Sequence, residues 1–167
     1  MKDLTEYLKK AQNKIKLFDV NDEEECLKAV KENGNLIEHI KNPSEEVCLE
    51  AVRQNGKSIE YIKNPLEIVR LEAVKKNGYA ISRISNPSEA VCLEAVKQTA
   101  NALIHIKNPS EVVKLTAVKK DGNSIEFITE RSEDVVLEAV RQNKEAFKHL
   151  DIDSLSESTK EILIHLI

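Results

Sequence analysis

The chain has 167 residues, a length at which one domain is the default, and its formal net charge is −4. Aromatic residues make up only 4% and tryptophan is absent, so the core must be aliphatic. The net charge argues against bulk attraction to nucleic acid or to an anionic membrane, and no apolar run approaches the roughly 20 residues of a membrane span. The opening residues MKDLTEYLKKAQ lack the apolar core of a signal peptide. Three cysteines without such a signal predict a cytoplasmic protein.

The first predicted element is an N-terminal capping helix within residues 1–19. An Asp-x-x-Glu capping box at Asp3 and Glu6 begins it. Lysines occupy one face, and apolar residues recur on the other at helical spacing: Leu4, Leu8, Ala11, Ile15 and Phe18. Repeat proteins need terminal caps of this kind.

Residues 20–151 contain six copies of a 22-residue unit, which begin at positions 20, 42, 64, 86, 108 and 130. The second copy reads NPSEEVCLEAVRQNGKSIEYIK. All four prolines of the chain fall at position 2 of this unit, and all four glycines fall at position 15. Self-similarity at such a period is typical of stacked repeat architectures.

Each copy is predicted to form two helices. We expect Asn at position 1 to cap the first helix, Pro at position 2 to lie in its first turn and Glu at position 4 to complete a capping box. The Asn-Gly pair at positions 14 and 15 should end this helix, with Gly in the left-handed conformation. A second helix of under two turns, partly 3₁₀, should then run to the next Asn-Pro. Helices this short are unstable alone, so stacking must stabilise them.

The predicted fold is therefore all-α: a single domain, residues 1–167, forming a right-handed α-solenoid of six two-helix repeats between two capping helices. The C-terminal capping helix lies within residues 152–167. Its last turns are unusually apolar: Ile162, Leu163, Ile164, Leu166 and Ile167. Such a helix either folds back fully or associates with a second copy, and a homodimer through this helix is one of the two alternatives.

The stretch NPSEEVCLEAVRQNGKSIEYIKNP resembles a repeat family of bacterial and viral proteins, phages included, that is classed as a domain of unknown function and marked by NPSExVxLxAVKxNGxAIxxI. The resemblance covers nearly all of residues 20–151. It implies a helical repeat and brings no established activity or catalytic residues. The unit is also similar in layout to leucine-rich variant and HEAT-like repeats, which are interaction modules. Some leucine-rich variant proteins carry a metal cluster, but this chain lacks the clustered cysteines that such an attachment needs.

Cysteine and histidine recur at fixed positions of the unit. Position 7 holds Cys26, Cys48 and Cys92. Stacked helices lie about 8–10 Å apart, beyond the ~7 Å Cα limit for a disulfide, so we interpret these cysteines as small core or boundary residues. His39, His105 and His149 are at least two copies apart, too far to share a metal. No nucleophile elbow, Gly-rich phosphate loop or His-Glu-x-x-His motif is present, so neither an enzyme nor a metal or cofactor is predicted.

Position 12 is basic in every copy and defines what we name the basic ridge: Lys31, Arg53, Lys75, Lys97, Lys119 and Arg141. Such a line of charge could engage phosphates or an acidic protein. The competing interpretation is a neutralised solvent face, because Glu occupies position 9 in four copies, three residues before the basic residue. This second interpretation is favoured.

Position 20 varies between copies but stays within ring-bearing residues and Arg, the types that are enriched at interface hot spots. We name these residues the position-20 ridge: His39, Tyr61, Arg83, His105, Phe127 and His149. Packing at the edge of the core competes with partner binding here. Positions 13 and 16 also vary, as with Gln54 and Tyr79, and could contribute to the same surface.

The sequence thus predicts a cytoplasmic, non-catalytic protein–protein interaction module. By analogy with the bacterial and phage repeats that it resembles, the specific form would be an adaptor or inhibitor that binds a host or immunity protein. The alternative is nucleic-acid binding along the basic ridge, with an affinity that falls steeply with salt. No membrane partner is predicted.

Overall fold

A computed structural model describes residues 18–167, in which every regular element is helical and no strand occurs. The predicted N-terminal capping helix falls almost wholly outside the described residues. The chain divides into two compact units, Met1–Lys76 and Asn77–Ile167. Each unit is described by itself.

The described part of the first unit alternates α-helices with 3₁₀ helices. These elements are α1 (Glu23–Glu32), η1 (Gly34–His39), α2 (Glu45–Gln54), η2 (Gly56–Tyr61) and α3 (Glu67–Lys76). Helix α2 contacts both α1 and α3, and η1 contacts η2. The unit is therefore a two-layered stack, with α-helices in one layer and 3₁₀ helices in the other.

The second unit repeats this arrangement. Its elements are η3 (Gly78–Arg83), α4 (Glu89–Gln98), η4 (Ala100–His105), α5 (Glu111–Lys120), η5 (Gly122–Phe127), α6 (Glu133–Gln142), η6 (Lys144–His149), η7 (Ile152–Ser154) and α7 (Glu157–Leu166). Consecutive α-helices contact each other from α4 to α7, and consecutive 3₁₀ helices do so from η3 to η6. The predicted all-α, solenoid-type repeat is confirmed within each unit, and the short second helix is 3₁₀ over its whole length.

The core follows the constant apolar positions of the unit. In the second copy, Val47, Ala51 and Val52 of α2 meet Ile59 of η2 and the following Ile62, and each is at most 8% exposed. Burying a Val or Ile side chain stabilises a fold by about 1.5–3 kcal/mol, so the stacked copies supply what each short helix lacks. Alanine at position 10 has no bulk beyond Cβ, which lets neighbouring helices approach closely.

The α-helices begin two residues later than the Asn-Pro pattern predicts. Helix α2 begins at Glu45, and the hydroxyl of Ser44 accepts the amide N–H of Val47 at 3.3 Å. The prediction that Asn caps this helix and that Pro lies in its first turn is wrong. Three of the asparagines that precede proline have a φ of 50°, in the left-handed region that Asn tolerates: Asn64, Asn86 and Asn108.

The role predicted for the position-15 glycines is also wrong. No glycine among the described residues has a positive φ. Helix α2 instead ends at Gln54, and the side-chain oxygen of the next residue, Asn55, accepts the amide N–H of Lys57 at 3.1 Å and so caps η2. Glycine is needed for space, because a Cβ on Gly78 would lie 2.7 Å from the carbonyl oxygen of Ala95 in the next copy.

Candidate interaction surface

Position 20 is the last residue of each 3₁₀ helix from η1 to η6. In the first unit, His39 is partly buried and Tyr61 is exposed. In the second unit, Arg83 and His105 are exposed, whereas Phe127 and His149 are partly buried. The residue that follows is buried in the first five copies, so each side chain of the position-20 ridge lies at the border between core and solvent.

An aromatic contact joins positions 16 and 20 of consecutive copies in the second unit. The rings of Tyr79 and His105 lie edge to face, with centroids 6.1 Å apart and planes at 77°. Tyr79 remains 41% exposed and the neighbouring Ile104 is 59% exposed. This contact places two of the variable positions on one accessible surface.

Carboxylates accompany several residues of the position-20 ridge. Oε1 of Glu38 lies 3.6 Å from Nε2 of His39, and Oε2 of Glu126 lies 3.9 Å from Nδ1 of His149. The charge of Glu60 raises the pKa of Tyr61, so its phenol stays a neutral hydrogen-bond donor at neutral pH. The ridge therefore combines rings with acidic neighbours.

Arg131 stands at position 2 of the sixth copy, where the second to fifth copies have proline. Its Nε donates to the carbonyl oxygen of Ile128 at 2.7 Å, and its Nη1 donates to that of His149 at 2.6 Å. Charge-assisted bonds of this kind are stronger than neutral ones. The degenerate sixth copy thus keeps its turn shape through a side chain instead of a proline ring.

Two grooves lie beside Asn-Pro turns, one within each unit, and the same positions of the repeat line both. The unit-1 groove includes Cys26, His39, Lys41, Asn42, Pro43 and Ser44. The unit-2 groove includes Cys92, His105, Lys107, Asn108, Pro109 and Ser110. Sequence reasoning missed the lysine at position 22. The available signal was that only the first and fourth copies combine Cys at position 7, His at position 20 and Lys at position 22.

The three cysteines are free and buried, as expected for small core or boundary residues. Burial raises the pKa of each thiol, so these side chains stay neutral at neutral pH. Sγ of Cys26 lies 3.5 Å from the carbonyl oxygen of Val20 at the turn. In the fifth copy a longer side chain fills this position, and Nζ of Lys114 donates to the carbonyl oxygen of Glu130 at 2.7 Å.

The basic ridge is exposed in all six copies, and part of it is ion-paired. Nζ of Lys75 lies 2.9 Å from Glu72 in the same helix, and Nε of Arg53 lies 3.4 Å from the other oxygen of Glu72. The pair between Lys97 and Glu94 is longer, at 4.0 Å. These contacts confirm the predicted pairing of positions 9 and 12 in two copies. They also show a pair between neighbouring copies that the helical spacing did not predict.

In the copies that have Gln at position 13, this side chain forms a hydrogen bond to the preceding copy. Oε1 of Gln54 accepts the amide N–H of Gly34 in the preceding copy at 2.9 Å. Two further pairs repeat the bond in the second unit, Gln98 with Gly78 at 3.1 Å and Gln142 with Gly122 at 2.6 Å. These glutamines hold consecutive copies together, a structural role that was not among the expectations for Gln54.

The C-terminal helix packs on its neighbour through one face. The amide of Ser156 donates to Glu133 of α6 at 3.1 Å, and Leu163 is only 2% exposed. The opposite face stays open, with Ile164 at 72% and Ile167 at 56% exposure. Helix α7 therefore closes the stack with its buried face and presents apolar side chains to solvent with the other.

Within residues 18–167, no helix is long and apolar enough to cross a membrane. The same part of the chain has no group of three or more His, Cys, Asp or Glu side chains that could hold a metal ion.

Two layers of short helices, repeated every 22 residues, define a helical repeat protein. A family model described as "Domain of unknown function (DUF4116)" matches residues 22–67, 44–89 and 113–155, which together exceed half of the chain. The chain belongs to this family. The first two matches are offset by one repeat unit. Searches of curated proteins and of solved structures found no significant match to the chain.

Proposed function

We propose that the chain is a non-catalytic protein–protein interaction module that binds its partner through the layer of 3₁₀ helices. One observation supports this proposal above the others. Positions 10, 11 and 18, which are apolar in every copy, are buried in nearly every copy, whereas position 20 varies in chemistry and is exposed or partly exposed in every copy. Ring-bearing residues and Arg at such sites are the types that contribute most to binding energy at interfaces.

The contact between Tyr79 and His105 strengthens the proposal for the second unit. The two rings support each other edge to face at 6.1 Å while Tyr79 keeps 41% of its surface exposed. A ring that is already restricted loses less conformational freedom when a partner binds, which favours affinity. Ile104, which precedes His105 in η4, is also exposed and adds apolar area to the layer of 3₁₀ helices.

The specific form that we propose is a cytoplasmic adaptor or inhibitor of bacterial or phage origin that binds a host or immunity protein. The resemblance of the repeat to bacterial and phage sequences supports this form by analogy alone. The surface itself supports the broader statement that the partner is a protein.

Nucleic-acid binding along the basic ridge is the second candidate. Glu72 pairs with Lys75 and Arg53, and Glu94 pairs with Lys97. Cations that already have carboxylate partners release fewer counterions on binding phosphates, which weakens this candidate. Affinity for a fluorescent duplex or single strand at low salt, falling steeply as salt rises, would favour nucleic acid over the protein partner.

A comparative pull-down tests the proposed function. We expect Tyr61→Ala/Arg83→Ala to lower recovery of the bound protein at least tenfold, because each hot-spot residue typically contributes more than 1 kcal/mol. The matched control is Lys31→Ala/Lys119→Ala, which changes two exposed side chains of the basic ridge. Equal recovery by the wild type and by Tyr61→Ala/Arg83→Ala would contradict the position-20 ridge as the binding surface.

A further inference from the structure

Asn-Gly pairs occupy positions 14 and 15 of the first three copies: Asn33-Gly34, Asn55-Gly56 and Asn77-Gly78. Asn-Gly is the dipeptide most prone to spontaneous deamidation, because glycine has no Cβ to shield its amide nitrogen from the asparagine side chain. In that reaction the glycine nitrogen attacks Cγ of the asparagine. The reactivity of each pair therefore depends on what holds the glycine N–H in the folded chain.

A glutamine of the following copy holds the glycine N–H at two of these pairs. Oε1 of Gln54 accepts the amide N–H of Gly34 at 2.9 Å, and Oε1 of Gln98 accepts that of Gly78 at 3.1 Å. Both hydrogen bonds are partly buried. Each bond must break before the nitrogen can lose its proton and attack. The two glutamines therefore protect the asparagines that precede the bonded glycines.

The pair Asn55-Gly56 lacks this protection. Position 13 of the following copy is Lys76, whose side chain cannot accept a hydrogen bond. Among residues 18–167, no group accepts the amide N–H of Gly56. The fourth copy is also followed by a lysine at position 13, but it has Thr99-Ala100 in place of Asn-Gly. Every other Asn-Gly or Asp-Gly pair donates to a glutamine, so Asn55-Gly56 is the exception.

Two hydrogen bonds orient the side chain of Asn55. Its Oδ1 accepts the amide N–H of Lys57 at 3.1 Å, a bond that makes the carboxamide carbon a better target and that Asn33 and Asn77 also have. Its Nδ2 donates to Oδ1 of Asn35 at 2.8 Å, which opposes the reaction. That second bond is exposed, so water can replace it more readily than it replaces the partly buried glutamine bonds. The glycine N–H is the difference that decides between the pairs.

We propose that Asn55 is a site of spontaneous deamidation, and that the glutamine at position 13 protects the other Asn-Gly pairs of the chain. The nitrogen of Gly56 bonds to Cγ of Asn55. Its proton passes through solvent to the side-chain nitrogen, which leaves as ammonia. One water molecule then opens the cyclic imide and leaves aspartate or isoaspartate at this position. Water is the only co-reactant, and no electron is gained or lost.

The aspartate product fits the scaffold. Asp121 occupies the same position of the fifth copy and accepts the amide N–H of Asn123 at 3.0 Å, as Asn55 does for Lys57. The bond from Nδ2 to Asn35 is lost, because a carboxylate cannot donate. Deamidation therefore removes one hydrogen bond between the first two copies and adds a negative charge to the layer of 3₁₀ helices, where we propose that the partner binds.

Incubation of the folded, full-length protein in heavy-oxygen water at neutral pH tests this site. Only residues that deamidate during the incubation take up the heavy oxygen, and peptide mass spectrometry gives the rate at each asparagine. We expect Asn55 to react about two- to tenfold faster than Asn33 and Asn77, the rate equivalent of one neutral hydrogen bond. In concentrated urea the three rates should become equal, because glycine follows each asparagine and the glutamine bonds are absent.

Two substitutions move the protection between pairs. Lys76→Gln supplies the missing acceptor and should slow Asn55 to the rate of Asn33, whose own glutamine is unchanged. Gln98→Lys removes an acceptor and should speed Asn77 alone; a rise at all three asparagines would show that this variant unfolds, and Lys76→Gln then carries the test. Equal rates in the folded wild type, or an Asn55 rate that Lys76→Gln leaves unchanged, would overturn the proposal. Absence of label at Asn55 while the urea-unfolded chain is labelled would overturn it as well.

Discussion

Replacing Gly78 by alanine decides between two explanations of the Asn-Gly pair. Gly78 begins η3 and has a negative φ, a backbone conformation that alanine adopts without strain. At such a site alanine ordinarily stabilises a protein by about 0.4–1 kcal/mol, because it restricts the unfolded chain. The structure predicts the opposite sign. The new Cβ would lie 2.7 Å from the carbonyl oxygen of Ala95 and 2.6 Å from Cγ2 of Thr99, so part of the next copy must move.

The expected cost has two parts. Forcing one extra carbon into a packed interior costs about 1–3 kcal/mol. The amide N–H of Gly78 also donates to Gln98 at 3.1 Å, and weakening that bond adds about 0.5–1.5 kcal/mol. After the favourable backbone effect of alanine is subtracted, Gly78→Ala should lower the free energy of unfolding by about 0.5–4 kcal/mol. Urea unfolding followed by far-ultraviolet circular dichroism measures this difference.

The next copy provides the matched control. Ala100 occupies the same position 15 and is 4% exposed, and position 13 of the following copy is Lys120 instead of Gln. Ala100→Gly should therefore destabilise the protein by no more than about 1 kcal/mol, the usual cost of glycine for alanine. A Gly78→Ala variant as stable as the wild type, or more stable, would refute the argument from close approach.

Two further predictions concern the surface. Glu72→Gln should lower the free energy of unfolding by about 0.5–1 kcal/mol at neutral pH, because it removes the carboxylate partner of Lys75. The hydrogen bond from Lys75 lowers the pKa of Glu72, so this stabilisation is complete above the carboxyl group's usual pKa and is lost as pH falls through the lowered value. Urea titrations in which the stability difference between the wild type and Glu72→Gln persisted at about pH 3 would contradict this prediction. Ile164→Asp should convert a self-associated species to monomer in light scattering, since Ile164 is 72% exposed, whereas Leu163 at 2% faces inward and is unsuitable for this test. A monomeric wild type would refute the predicted homodimer.

The repeat architecture could be predicted because the apolar positions recur in every copy at a constant period of 22 residues. The helix start could not be assigned correctly, because Asn42-Pro43-Ser44 contains two favoured capping residues. Asn42 also satisfies the rules for a cap, because a cap residue is non-helical and proline is favoured directly after it. The structure shows that Ser44 is the cap, through its hydroxyl 3.3 Å from the amide nitrogen of Val47.

The glycine assignment failed for a different reason. A single helix ending in Asn-Gly matches a left-handed cap, and nothing in one copy reveals how closely the next copy approaches. The contact of Gly78 with Ala95 joins residues from two consecutive copies, so only the stacked structure shows it. Contacts of this kind depend on the spacing between layers, which the periodicity of a single helix does not contain.

The candidate site could be predicted only in part, because part of it depends on contacts between consecutive copies. The exposure of position 20 follows from its place beside the constant, buried position 21, and the sequence indicated that border correctly. The grooves need Cys26 and Lys41 of one copy beside Ser44 of the next, and these residues adjoin only when the turn closes over the α-helix. The sequence shows that the first and fourth copies have the same residues at positions 7, 20 and 22, but it does not show that these residues lie close together.

Variation between copies therefore has two physical origins, and they should be separated before any residue is assigned to a partner. At position 13 the variation concerns the scaffold itself. The side chain of Gln54 accepts a hydrogen bond from the amide N–H of Gly34 in the preceding copy, at 2.9 Å. Substituting it would weaken the stack, and a loss of binding would then report on folding. At position 22 Lys41 has no such intramolecular role within residues 18–167 and is exposed at a groove. A change in affinity on substituting Lys41 therefore reports on the partner, which makes position 22 a better probe of recognition than position 13.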